Sequence, residues 1–265
     1  MPNWRVGLSG SFSRLHFFSG QHLVRCADVL TVACWNTEWH APSSPRGAKL
    51  KAALLAKSPD IVCLPEARHD FLDEPYHGIM SDPDHGYPVR PDRSKVTLWS
   101  RWPWQDVDRV GDVALPPGRF IAATTSSSIG PVRVVGVCVP WKHAHVTSGS
   151  RDRAVWQDHG TYLVVLPRVL ERQRNFGHPL IIAGDFNQRI PARLVPPSLA
   201  EMLAGALSDI KVWTTEIPAG LEKQALCHVA TDATFSASEV KGISRIIAGV
   251  EVSDHDGLVA ALLGA

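Results

Sequence analysis

The sequence predicts an α/β (α+β) fold in which two mixed β-sheets pack together and helices cover their outer faces. Three observations predict it. Short apolar runs bounded by Gly, Pro, Asp and Asn recur along the chain, helix-forming segments alternate with them, and several runs end on an acid or an amide. With 265 residues, 45% of them apolar, the chain is long enough to bury a large core as one domain.

Taken in order, Leu30–Glu38 is a β-rich run closing on Asn36 and Glu38. Residues 47–57 carry strong helix formers, with Leu50 and Leu54 one turn apart, and Pro59 ends that helix. The strand from Asp60 ends in a second acid, Glu66. Val96–Trp99, Phe120–Thr125 and Val132–Val139 are further strands, while the Pro- and Gly-rich spans 72–93 and 111–119 read as surface loops. Asp152–Asn175 reads as a helix ended or kinked at Pro167. Ile181-Ile182-Ala183 is a buried strand delivering Gly184-Asp185-Phe186-Asn187 at its carboxyl end. Ser198–Ala204 is a short helix with Ser198 as its cap, and Leu226–Thr231 and Leu258–Leu263 complete the strands. No repeat or low-complexity tract interrupts the pattern.

Residues 1–28 hold Arg5, Arg14, Arg25, His16 and His22 with no acid before Asp28. They read as an N-terminal extension or early edge strand before a catalytic domain at 29–265. A targeting presequence is the other reading, though the stretch lacks the apolar core of a secretory signal. No apolar run approaches the roughly 20 residues that span a bilayer. The net charge of +1 sets up no whole-molecule field for nucleic acid, which leaves room for a local basic groove. Mean hydropathy is −0.04, that of a soluble globular chain. The five cysteines (Cys26, Cys34, Cys63, Cys138, Cys227) show no metal-type spacing, and most sit in β-like runs as small hydrophobes. Free buried thiols fit a reducing cytoplasm.

The chemistry lies at the strand ends. Alternation along a strand points Asp185 and Asn187 the same way and Phe186 into packing. Gathered in space, the runs and the segment Ser253-Asp254-His255 bring together Glu38, Glu66, Asp185 and Asp254, with Asn36, Asn187 and His255 among them. Four carboxylates side by side need a cation or raised pKa values. Hard oxygen ligands and few nitrogens favour Mg²⁺ or Mn²⁺ over Zn²⁺.

From about Val29 to the C-terminus the chain resembles the endonuclease/exonuclease/phosphatase superfamily. The resemblance rests on Trp35-Asn36, Pro59–Glu66, Gly184–Asn187 and Ser253–His255, in that order. It implies a deoxyribonuclease I-like four-layer sandwich and a divalent-metal-dependent phosphoesterase. In that scheme Glu66 is the main metal ligand, and Asn36 and Glu38 shape the metal and phosphate side. Asp185 orients or deprotonates the attacking water, Asn187 positions the water or a phosphate oxygen, and His255 contacts the phosphate. Asp254 steadies the histidine or approaches the metal.

Two departures stand out. Where family members carry an acid supporting the final histidine, Leu226-Cys227-His228-Val229 puts Cys227; either Asp232 or another acid substitutes, or His255 is less polarised. The strand expected to end in a Thr-His or His-Ser pair reads Val137–His145, so Trp141, Lys142 and His143 take over phosphate contact or Trp141 only walls the site. For substrate, Trp39 and Trp141 lie beside motif residues, and Arg46, Arg68, Lys142, Arg151 and Arg189 are cations suited to backbone phosphates. The competing reading makes the nine tryptophans core and these charges ordinary wet surface. The expectation is a monomeric nuclease. A phosphatase or phosphodiesterase acting on a small metabolite or lipid headgroup is the alternative enzyme, and a catalytically silent binding member the alternative class.

Overall fold

A computed structural model describes residues 29–264, so the expected extension at 1–28, with Cys26, lies outside the described residues. In chain order the elements are β1 (Val29–Cys34), α1 (Pro45–Leu55), β2 (Ile61–Arg68), β3 (His77–Met80), β4 (Arg93–Ser100), β5 (Trp104–Asp108), β6 (Phe120–Ser127) and β7 (Gly130–Cys138). Then follow α2 (Gln157–Arg174), β8 (Leu180–Asp185), α3 (Pro197–Ala206), β9 (Lys211–Val212), β10 (Cys227–Thr231), β11 (Phe235–Ile243), β12 (Ile246–Ile247), β13 (Val250–Glu251) and β14 (Gly257–Gly264). One six-stranded sheet runs β11-β14-β1-β2-β4-β3 and the other β5-β6-β7-β8-β10-β9, with β12-β13 as a small hairpin.

Strand alternation sorts these residues into three cores. Val32, Ile61, Cys63, Ile181 and Ala183 face the space between the sheets. Their neighbours Ala33, Val62 and Leu64 point outward onto Leu50 and Leu54 of α1. Leu180 and Ile182 point outward from the other sheet onto Tyr162, Leu166 and Leu170 of α2 and Leu203 of α3. Because both faces of each central strand are covered, these runs are continuously apolar, and the layers stack as helix, sheet, sheet, helix. The two-sheet sandwich is as expected.

Several boundaries differ for local reasons. Ser44 caps α1 by accepting from the Gly47 amide at 3.1 Å, with Pro45 in the first turn, and the helix stops at Leu55, before Pro59 acts. α2 begins at Gln157, later than expected, because Trp156 sits at φ 70°, and it runs through Pro167 without ending there. Ser198 lies inside α3, whose cap is Pro196 with no side-chain bond. The span 72–93 is not all loop, since β3 pairs with β4 at the sheet edge.

Candidate active site

Strand direction brings the motifs together. β1 and β2 are parallel, so their carboxyl ends, carrying Asn36 and Glu66, share one edge. β14 runs antiparallel to β1 and begins at that edge, with His255 two residues ahead of it. In the facing sheet β8 ends at Asp185, and antiparallel β10 begins there, with Cys227 opposite Asp185 in register. Side-chain bonds pin these ends. Trp35 Nε1 donates to the His255 carbonyl at 2.8 Å, and Ser253 Oγ donates to the Asn36 carbonyl at 2.7 Å. Gly184 precedes Asp185 because a Cβ there would lie 2.0 Å from the Val137 carbonyl oxygen of β7.

Asp185 is buried and held at both oxygens. Oδ1 accepts from the Asn187 amide at 2.9 Å, while Oδ2 accepts from Asn187 Nδ2 at 3.1 Å and Asn36 Nδ2 at 3.2 Å. Asn187 Nδ2 also donates to the Val139 carbonyl at 2.8 Å, which fixes the amide. His255 Nε2 lies 3.8 Å from Asp185 Oδ2 and 3.7 Å from Asp254 Oδ1. Burial pushes the Asp185 carboxyl up, against the pull of His255 and the Asn187 amide. Burial alone would push His255 down; Asp185, then Cys227, then Asp254 instead hold it up at about 10.

The Cys227 thiol meets His255 Nδ1 at 3.9 Å and occupies the acid's expected place. Asp232 does not substitute, because it accepts from the Leu180 and Thr234 amides at 2.7 and 3.1 Å. The acids that do face His255 are Asp185 and Asp254, both on its Nε2 side. Asp185, Cys227 and His255 hold ligand atoms within 4.8 Å of one another. The imidazole stands between thiol and carboxylate, a nitrogen toward each, which is an arrangement for orienting a ring and not for chelating one ion.

Glu66 adopts φ 51°, a left-handed conformation that costs on the order of 1–3 kcal/mol for such a residue. Between the Pro65–Val96 and Ala67–Ser94 pairs it faces Lys95, whose Nζ lies 2.6 Å from Oε1. Against burial, Lys95 holds the Glu66 carboxyl below its usual range. The Glu66 charge in turn helps raise Asp185, a like-charge conflict that a bound dication relieves. With Asp254 and the amides of Asn36 and Asn187 the cleft offers an oxygen donor set, which fits a hard divalent ion.

These residues line one cleft of about 480 Å³. The rest of its lining includes Trp39, His85, Tyr87, Arg90, Arg93, Lys95, Arg119 and Trp141, with Lys95 against Glu66 and Arg119 against the Cys138 carbonyl. Arg93 and Lys95 both lie over the Trp39 ring, at 5.8 and 5.0 Å from its centroid. Burial, with Lys95 and Arg119 nearby, lowers His85 to about 4, so its ring is neutral at pH 7.

Of the expected residues, Asn36, Trp39, Glu66, Asp185, Asn187, Asp254, His255 and Trp141 converge here. Seven others do not line the cleft. Glu38 is turned outward by positive φ at Glu38 and Trp39, and faces His40 Nε2 at 3.5 Å while Trp39 takes the cleft side. Lys142 is exposed. His143 packs on the Trp141 ring edge at 5.2 Å. Arg189 bonds the Gln224 carbonyl at 3.3 Å and lines separate hollows beside Pro191 and Thr215. Arg68 is taken by Asp70 and Asp92, and Arg46 and Arg151 are exposed away from the cleft. Sequence reasoning passed over Arg93 and Lys95, although their spacing of two puts both on one strand face. Arg90, Arg119 and His85 carry no comparable local signal.

Fold and cleft together define a class, the deoxyribonuclease I-like α+β sandwich with its polar groups at the strand ends. The chain belongs to the endonuclease/exonuclease/phosphatase family, whose model matches residues 33–255. Solved structures agree in fold. A variant of the 3′ phosphatase NExo from Neisseria, bound to product DNA hairpin, is 20% identical over 87% of this chain and 98% of its own, with a TM-score of 0.62. The human Nocturnin catalytic domain with bound sulfate anion is 17% identical over 90% and 94%, with a TM-score of 0.62. D. rerio TDP2 complexed with single strand DNA product is 13% identical over 88% and 98%, with a TM-score of 0.61. A comparison with the curated proteins finds no match.

Proposed function

We propose that this protein is a divalent-metal-dependent phosphoesterase that hydrolyses phosphodiester bonds in nucleic acid. One observation carries the reading: Asn36, Glu66, Asp185, Asn187, Asp254 and His255, delivered by separate strand ends of two sheets, line a single cleft. Structural acids have no reason to converge in this way. The cations and aromatic rings of the cleft lining suit a phosphate-bearing, base-bearing substrate. Two structural neighbours are described with DNA products, which agrees with that choice.

Glu66 and Asp254 would hold Mg²⁺ or Mn²⁺, with Asn36 beside them. Bound there, the ion supplies charge neutralisation at the phosphate oxygens. Asp185, fixed by the three hydrogen bonds it accepts, orients a water and takes its proton as the water oxygen bonds to phosphorus. The ester P–O bond breaks, and the alcohol leaves with a proton drawn from solvent. His255, protonated at neutral pH, offers Nε2–H to a non-bridging oxygen, where charge grows in the transition state. Cys227, behind the ring, sets its orientation.

The test is hydrolysis of bis-p-nitrophenyl phosphate, single-stranded and duplex DNA, RNA and inositol phosphates, with Mg²⁺ or Mn²⁺ and with EDTA. Metal-dependent cleavage of nucleic acid, lost in D185N and E66Q, supports the reading. Activity confined to small esters moves the substrate to a phosphorylated metabolite or headgroup. The Lys95–Glu66 pair, which engages the expected ligand, favours a silent binding member; no turnover on any substrate selects it.

A further inference from the structure

The charges of the cleft do not balance. Of its acids, Glu66 is paired with Lys95, and Asp185 and Asp254 both face His255. Arg90, Arg93 and Arg119 have no carboxylate within ion-pair distance among the described residues, yet all three line the cleft. Arg119 is 3% exposed, and its guanidinium makes one long bond, to the Cys138 carbonyl at 3.5 Å. A guanidinium has five N–H donors, and those of Arg119 that make no bond are open to the cleft, where an anion can take them. Arg93 Nε and His85 Nδ1 are buried with no partner, so the cleft lining carries two more unmet polar groups.

A single phosphodiester does not answer this surplus. It carries one negative charge, and the acid end with His255 is already built to receive it. A volume of about 480 Å³ falls within the range of roughly 300–1,000 Å³ typical of pockets enclosing one small ligand. Arg93 lies over the Trp39 ring, Tyr87 and Trp141 line the same cleft, and Trp141 is 43% exposed, which leaves ring surface for a planar group.

We propose that Arg90, Arg93 and Arg119, with His85, form a second phosphate subsite, and that the substrate is a nucleotide unit bearing a phosphate beyond the one that reacts. This inference rests on the phosphoesterase reading and adds the substrate's charge pattern to it. Within a strand, that second group is the adjoining backbone or terminal phosphate.

The decisive measurement is calorimetric binding of thymidine 3′,5′-bisphosphate, thymidine 5′-monophosphate and thymidine to the full chain in EDTA. The bisphosphate is expected to bind at least about tenfold more tightly than the monophosphate, as befits added charge-assisted bonds. R119Q and R93Q should each cut that preference by about tenfold. Should R119Q fail to fold, R119K and R93Q carry the test. Equal affinity for bisphosphate and monophosphate overturns the subsite, as do variants that weaken every nucleotide by one factor. Turnover separates the two readings. A thymidine dinucleotide carrying a 5′- or 3′-terminal phosphate should surpass the unphosphorylated dinucleotide in kcat/KM, an advantage reduced in R93Q. Failure to hydrolyse any dinucleotide, nucleic acid, bis-p-nitrophenyl phosphate or inositol phosphate refutes the phosphoesterase reading, while the binding preference still decides the subsite.

Discussion

Replacing Asp185 by Asn keeps the side chain's shape and removes the carboxylate that faces His255 at 3.8 Å. In the wild type His255 is held at about 10 although burial opposes its charge. With Asp185 neutral, burial regains weight, and only Cys227 and the exposed Asp254 remain to support the imidazolium. His255 should then titrate at least about two units lower, a change on the order of 3 kcal/mol at about 1.4 kcal/mol per unit. The sign for stability follows from the raised value. The His255 contribution is fully present below the unfolded pKa of about 6.5 and is lost as pH rises toward 10. Wild-type protein should therefore lose stability across that window with a steeper slope than D185N. The assay is an NMR titration of the His255 ring, with urea unfolding at several pH values beside it. A D185N imidazole that still titrates above about 9, within a unit of the wild type, would refute the assignment and place the charge control on Cys227 or Asp254.

E66Q should raise the Mg²⁺ concentration needed for half-maximal activity and lower activity by orders of magnitude with an unchanged circular-dichroism spectrum; activity titrated against Mg²⁺ checks it. C227A leaves His255 Nδ1 without a partner and should lower kcat by about 10–100-fold with little change in KM, as loss of an orienting contact does. G184A forces a Cβ against the β7 backbone and should destabilise the fold by about 3 kcal/mol, read from the urea midpoint. W141A should raise KM for strand substrates about tenfold, on the order of one stacked base, and steady-state kinetics will show whether kcat holds.

How far these features were legible depends on how local each one is. Asn36, Glu66, Asp185 and His255 were legible because apolar runs mark the central strands and their polar ends fall at fixed steps beyond them. Parallel pairing of β1 with β2 and of β7 with β8 then makes neighbouring ends coincide. Glu38 misled because its direction is set by two left-handed residues, which a residue pattern does not encode. Lys142 and Arg189 misled because nearness in sequence to a motif is not nearness to the cleft. Arg119 sits just ahead of β6 and Arg90 in the stretch before β4, and only the packing of the sheets brings them to one cleft. Edge strands such as β3 and β5, whose residues are largely unburied, lack the apolar signature that reveals the inner ones.

The polar groups of the cleft are divided between the two layers: Asn36, Glu66 and His255 belong to one sheet and its connections, Asp185 and Asn187 to the other. The molecule thus serves as its own gauge of how the halves are seated. A slip of an ångström across the shared interior, too small to melt either half, would part Asp185 from Asn36 and His255. Under rising denaturant, turnover should fade before the spectrum of the folded backbone does.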